Sequence, residues 1–164
     1  MNAKIVVYSW TGNAAACAVA LQQTSGIEPF LLVETKERVG NKGFALGGLQ
    51  AIMGRKTELN ELPDLSDVDT LIVGMPQWAG TLPPAINTFF GACSVAGKQV
   101  YAFVTQASPE ASKKMENKLR KTVNAQGGIF KQMFVVTVPS GTQMSVENAL
   151  PYAQKWAARV QAEE

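Results

Sequence analysis

The sequence predicts an α/β domain whose parallel sheet is covered by helices on both faces, and three observations predict it. Five short apolar runs rich in β-branched and aromatic residues recur along the chain, each continuous in its apolar character, as strands buried on both faces require. Between and after them lie segments able to hold a helix, and 164 residues suffice for a single domain with a sizeable core. Strand alternating with helix in one small unit gives a doubly wound sheet with right-handed crossovers, and five strands are too few for an eight-stranded barrel.

The first run, Ile5-Val6-Val7-Tyr8, leads through Ser9-Trp10-Thr11-Gly12 into a predicted helix over 13–24. The second, Phe30 to Val33, is followed by an interval longer than one crossover needs and punctuated by Gly40, Gly43, Gly47, Gly48 and Gly54. A helix over 44–56 behind a mobile, glycine-rich lead-in is expected there. The third run, Leu71 to Gly74, precedes a helix over 84–92, and the fourth, Val100 to Val104, precedes one over 110–125. The fifth, Phe134 to Val138, is followed by a helix over 146–162, in which Trp156 reads as buried packing.

Composition excludes several chemistries. There is no histidine, so Ser-His-Asp and Cys-His nucleophiles, imidazole bases and His-ligated zinc are ruled out. Cys17 and Cys93 lie far apart, outside any Cys-x-x-Cys spacing, and read as buried free thiols. A net charge of +2 is too near neutral to argue nucleic-acid binding. Residues 1–82 carry 6 basic and 8 acidic side chains and residues 83–164 carry 9 and 5, giving −2 and +4. Much of that excess is Lys113, Lys114, Lys118, Arg120 and Lys121, the solvated face of a helix or a docking surface for an acidic protein. Only four apolar residues follow Met1-Asn2-Ala3-Lys4, too few for a signal-peptide core or a bilayer span, so a cytoplasmic chain is expected.

In an open parallel sheet, ligands collect at the carboxyl ends of the strands, near the point where strand order reverses. The loop there after the first strand, Ser9-Trp10-Thr11-Gly12-Asn13, suits an anion. Backbone N–H groups at a helix N-terminus lack intrahelical partners and sit at the positive end of the helix dipole. The Ser9 and Thr11 hydroxyls can donate as well, Gly12 permits close approach, and Asn13 can cap the helix or bond the ligand; a plain capped turn is the alternative. The loop lacks the further glycines of a dinucleotide fingerprint and the Gly-Lys-Ser/Thr of a triphosphate loop. A monophosphate held by neutral donors is what remains. The third strand runs into Met75-Pro76-Gln77-Trp78-Ala79-Gly80-Thr81-Leu82-Pro83-Pro84, where Trp78 reads as a stacking surface for a planar ligand, or as a ring folded back onto its own domain.

Together the two loops resemble the flavodoxin family, and more closely a group of small, short-chain flavodoxin-like proteins whose third loop reads Gly-x-Pro-x-Trp-x-Gly. The resemblance spans nearly the whole chain: Ser9-x-Thr11-Gly12-Asn13, the stretch Gly43 to Gly54 closing with Arg55, the lead-in Asp67-Val68-Asp69, and the Trp78 loop. It implies a flavodoxin-like three-layer α/β/α sandwich, strand order 2-1-3-4-5, binding FMN. By position, it implies phosphate contacts from Ser9, Thr11, Gly12 and Asn13, with the N–H of Ala14 beside them, and ring contacts from Pro76, Gln77, Trp78, Ala79 and Gly80; Trp10, in the same cofactor loop, either shields one edge of the ligand or points to solvent. On the ring's other side it implies Thr105, Gln106, Ala107 and Ser108. Ala14 stands where the family commonly has Thr, and Met75 where Ser or Thr often follows the strand's glycine.

The function expected from this is electron transfer through non-covalently bound FMN, with a backbone carbonyl in the Gln77–Gly80 stretch able to accept from the flavin N5. No catalytic or metal-binding residue is expected. The alternatives are an NAD(P)H-dependent reductase of quinones or similar small acceptors, and a flavin-free binding module. Expected partners are FMN and a redox protein or NAD(P)H, without nucleic acid or membrane, in a monomer or homodimer.

Overall fold

A computed structural model describes residues 2–110 and 112–162. Its five-stranded parallel sheet has the order β2-β1-β3-β4-β5, built from β1 (Ala3–Tyr8), β2 (Pro29–Leu32), β3 (Thr70–Pro76), β4 (Gln99–Gln106) and β5 (Ile129–Thr137). β1 pairs with β2 on one side, Val7 opposite Leu31, and with β3 on the other, Val7 opposite Gly74. Strand order therefore reverses at β1/β3, and the loops leaving these two strands flank the crevice.

Alternation along β1 divides the core in two. Ile5 and Val7 pack beneath α1 (Asn13–Ser25) and α5 (Val146–Ala162) with Cys17, Phe103, Phe134 and Trp156. Val6 and Tyr8 face the opposite layer of α2 (Gly40–Ile52), α3 (Pro84–Ala92) and α4 (Lys113–Ala125). Local chemistry sets the helix ends. Gly26 adopts a left-handed conformation and returns its N–H to the Gln22 carbonyl at 2.7 Å, closing α1. Ser112 accepts from Met115 N at 3.2 Å, opening α4 ahead of its buried stripe Met115, Leu119 and Val123.

The second helix departs from expectation: it covers 40–52, not 44–56. Gly40 and Gly43 thus lie inside the helix and not in a lead-in: Gly43 N donates to the Val39 carbonyl at 3.2 Å, and its missing side chain lets this first turn close on the Arg38 backbone. The fourth helix starts at Lys113 instead of 110, after its Ser112 cap; residue 111 of the expected span lies outside the described residues. β5 begins five residues before the apolar run, at Ile129, extending its pairing with β4.

Candidate functional site

The loops after β1, β3, β4 and β5 meet at the carboxyl edge of the sheet. Gly12, the N-cap of α1, has φ 92°, which an L side chain adopts only under strain. No side chain caps this helix, and the Gly12 carbonyl accepts its first bond, from Ala16 N at 2.9 Å. The N–H groups of the first turn are left without intrahelical acceptors. Asn13 does not cap it: its Oδ1 accepts from Met144 N at 2.9 Å, tying α1 to the loop after β5. Of its two expected roles, capping the helix is thereby corrected, and its amide N–H groups remain free to meet a ligand.

The β3 loop continues the sheet for one step, Gln77 N donating to the Thr105 carbonyl at 3.0 Å. It then turns back in a tight hairpin, with Thr81 N to Trp78 O at 2.9 Å and Trp78 N to Thr81 O at 3.3 Å. Ala79 and Gly80 at its tip have φ 50° and 73°, the paired positive values of a type I′ turn. On β4, Gln106 Nε2 donates to the Ser108 and Glu110 carbonyls at 2.7 and 2.6 Å, folding the following loop back onto the strand.

Among the described residues, three buried side-chain oxygens lack a hydrogen-bond partner: Ser9 Oγ, Gln77 Oε1 and Gln106 Oε1. Ser9 and Gln77 belong to these loops and Gln106 ends β4 where the next loop begins. An unsatisfied buried polar group costs about 1–3 kcal/mol, so their concentration at one edge of the sheet is what a polar ligand site would leave when formed by protein alone.

A cavity of about 150 Å3 is lined by Trp10, Thr11, Asn13, Pro76, Gln77, Trp78, Thr105, Gln106 and Ala107 of the expected set, together with Phe44 and Val138. Of the rest, Ser9 lines an adjoining groove with Tyr8, Glu34, Lys36 and Arg38. Ser108 is exposed beyond the cavity; Ala79 and Gly80 form the hairpin tip, Gly80 beside Lys114. Ala14 is buried against the α1/α5 layer, so only its backbone could serve a ligand. A wider cleft of about 840 Å3 shares Thr11, Asn13, Phe44, Ala107 and Val138 with the cavity and continues over Pro139 to Gln143.

Of the two expected places for Trp78, the structure has the second: the ring is folded back onto its own domain and forms a wall of the cavity. It is 5% exposed and belongs to the core cluster. Gly47 of α2 lies against the indole, the Arg38 guanidinium sits 5.4 Å from its centroid, and Tyr8 and Trp10 meet it edge-on at 5.7 and 6.1 Å. The absence of a side chain at Gly47 is what lets the helix lie on the ring. Trp10 is fixed too, stacked on Phe44 at 5.6 Å, with its Nε1 donating to the Arg38 carbonyl at 2.9 Å.

Beneath these rings lies a polar cluster that sequence reasoning missed. Tyr8 OH donates to Glu34 Oε2 at 2.7 Å, and Arg38 grips both Glu34 oxygens at 2.8 to 3.1 Å. Burial, then the Glu34 hydrogen bond and charge, hold the Tyr8 phenol well above its ordinary range. Burial works against the Arg38 cation, but Glu34 outweighs it and raises its pKa. The i,i+4 spacing of Glu34 and Arg38 was the available signal. For Phe44 it was an aromatic among glycines, and for residues 139–143 the same small polar composition that marked the first loop.

A flavodoxin family model matches residues 48–136, a little over half of the chain. The chain belongs to the flavodoxin family. No curated protein sequence matches it. Among solved structures, a protein of Bacteroides uniformis provisionally described as a flavoprotein is similar with a TM-score of 0.73 at 20% identity, over 96% of this chain and 97% of that one. A flavoprotein of Lactobacillus acidophilus in complex with FMN is similar with a TM-score of 0.69 at 20% identity, over 82% and 92%. An oxidised flavodoxin 2 of Bacillus cereus follows at 0.58 and 15% identity, over 97% and 99%. At these identities the likeness shows the fold. Among the described residues no helix is long and apolar enough to cross a membrane.

Proposed function

We propose that this chain binds FMN non-covalently and acts in electron transfer. The observation that carries the reading is the convergence of three unpartnered buried oxygens, Ser9 Oγ, Gln77 Oε1 and Gln106 Oε1, with an uncapped helix N-terminus at the switch point of a flavodoxin-family sheet. The FMN complex of the Lactobacillus acidophilus structure supports the choice of ligand.

In this reading the first turn of α1, with Ser9, Thr11 and the Asn13 amide, holds the phosphate. Gln77 and Gln106 present acceptors for the ring's N–H edge. Trp10, Phe44 and Trp78 form an apolar wall that excludes water, and the Ala79-Gly80 turn supplies backbone groups beside it. FMN, once bound, supplies one- and two-electron redox chemistry, for which the protein provides position and electrostatics.

The visible spectrum of the purified protein, with heat release and chromatography of any yellow cofactor, tests the proposal. Stoichiometric FMN supports it. A colourless protein in which added FMN gives neither a band shift nor fluorescence quenching overturns it. The wider cleft against Phe44 favours a second reading, an NAD(P)H-dependent reductase of small acceptors such as quinones. NADPH oxidation in the presence of a quinone separates the two, because a carrier shows none above background.

A further inference from the structure

Helix α2 is apolar almost all round. Gly47 and Ala51 are its buried positions, yet Phe44, Leu46, Leu49 and Ile52 are 53–63% exposed, with Met53 just beyond at 56% and Val39 just before at 74%. A helix of this kind ordinarily lies inside a protein. Lys42 is its one charged residue, so it has no basic polar face of the sort that lays a helix on a membrane surface.

The shape of the exposed face points to its cover. Two adjacent i,i+4 rows run along it, Phe44-Gly48-Ile52 and Ala45-Leu49-Met53. A Cβ placed at Gly48 meets nothing within 4 Å, so this position is a notch between two large side chains, and Leu49 is a knob beside it. Knob and notch one residue apart on one face make the surface complementary to itself. Two such helices crossing near Gly48 seat each Leu49 beside the other's Gly48, the packing of i,i+4 ridges into grooves about a two-fold axis. The four large side chains of these rows, Phe44, Leu49, Ile52 and Met53, are each more than half exposed and present roughly 400 Å2 per copy, with Leu46 at the rim, about half of the ~800 Å2 that each partner contributes to a standard interface and so the size of a small, reversible one.

The geometry points to a homodimer formed through α2, with the copies crossing at Gly48. This inference is independent of the FMN reading. It does bear on the candidate site, because Phe44 belongs both to the dimer face and to the cavity wall.

Sedimentation velocity of the full chain over a concentration series tests it, beside Leu49→Lys and Gly48→Met. Leu49 is exposed and a Cβ at the half-buried Gly48 would meet open space, and circular dichroism checks that each variant keeps its helices. The expected result is a wild-type species of twice 17.6 kDa whose dissociation constant rises at least tenfold in both variants. A wild-type monomer at 100-fold above typical micromolar assay concentrations overturns the proposal, whether or not it floats with anionic vesicles. So does a dimer that both variants leave intact, because its interface then lies elsewhere. FMN titration of the variants, read separately, reports on the cofactor proposal.

Discussion

Gly47 lies against the six-membered ring of Trp78, so closely that a Cβ at position 47 would stand 2.6 Å from Cζ3. Gly47→Ala should therefore destabilise the protein by about 1–3 kcal/mol through overpacking, although alanine favours an isolated helix by about 1 kcal/mol. Denaturant unfolding followed by tryptophan emission checks this. Unchanged or increased stability would mean that α2 does not rest on the ring.

Ser9→Ala should separate apoprotein stability from ligand affinity. Its buried Oγ has no partner in the protein alone, so its removal should leave the apoprotein as stable or more stable by about 1 kcal/mol, while FMN binds more weakly by about 1–3 kcal/mol. Thermal unfolding and flavin fluorescence titration read the two effects. Unchanged affinity would place the phosphate away from Ser9.

The Glu34–Arg38 pair sits with side chains 7% and 9% exposed. Arg38→Met leaves the Glu34 charge buried with only Tyr8 to bond, and should cost about 3 kcal/mol. Glu34→Gln added to it should recover part of that loss. A double-mutant cycle with no coupling would show the pair to be energetically idle.

Alkaline pH should loosen the same cluster. The folded Tyr8 phenol titrates well above its ordinary 10.0, so above about pH 10 the folded state holds a proton that the unfolded chain has released. Tyr8 thus contributes stability that is complete below about pH 10 and is lost as pH rises beyond it. Stability measured from pH 8 to 11 should fall more steeply in wild type than in Tyr8→Phe.

Cys17 is fully buried, and burial pushes its thiol up to about 12. Cys93 is half-buried and raised by burial as well. At pH 8 in the native state a disulfide reagent should therefore modify Cys93 slowly and leave Cys17 untouched, because the thiolate is the reacting form. Mass mapping of the labelled chain identifies which thiol reacts.

The strands were legible because burial on both faces leaves an unbroken apolar run, as in Ile5 to Tyr8 and Val100 to Val104. Polar residues at the start of β5, Lys131 and Gln132, broke that signal, so its first half was invisible. The helix over 40–52 was misplaced because its four glycines argue against a helix locally, and only the tertiary contact with Trp78 reveals why one of them, Gly47, sits inside it. Loop composition located the crevice, whereas the fate of each side chain depended on partners distant in sequence. Asn13 offered itself as a cap or a ligand contact, and Met144 removed the first by claiming its oxygen; Trp78 offered a platform or a folded-back ring, and the packing of α2 on it gives the second.

The bond from Met144 to Asn13 joins positions 131 residues apart. A ribosome releases Asn13 early, but its partner only when most of the chain has been made. The first loop written in the sequence is therefore among the last to gain its final shape, and a nascent chain halted after β4 would carry the candidate phosphate-loop residues without the strut that holds them.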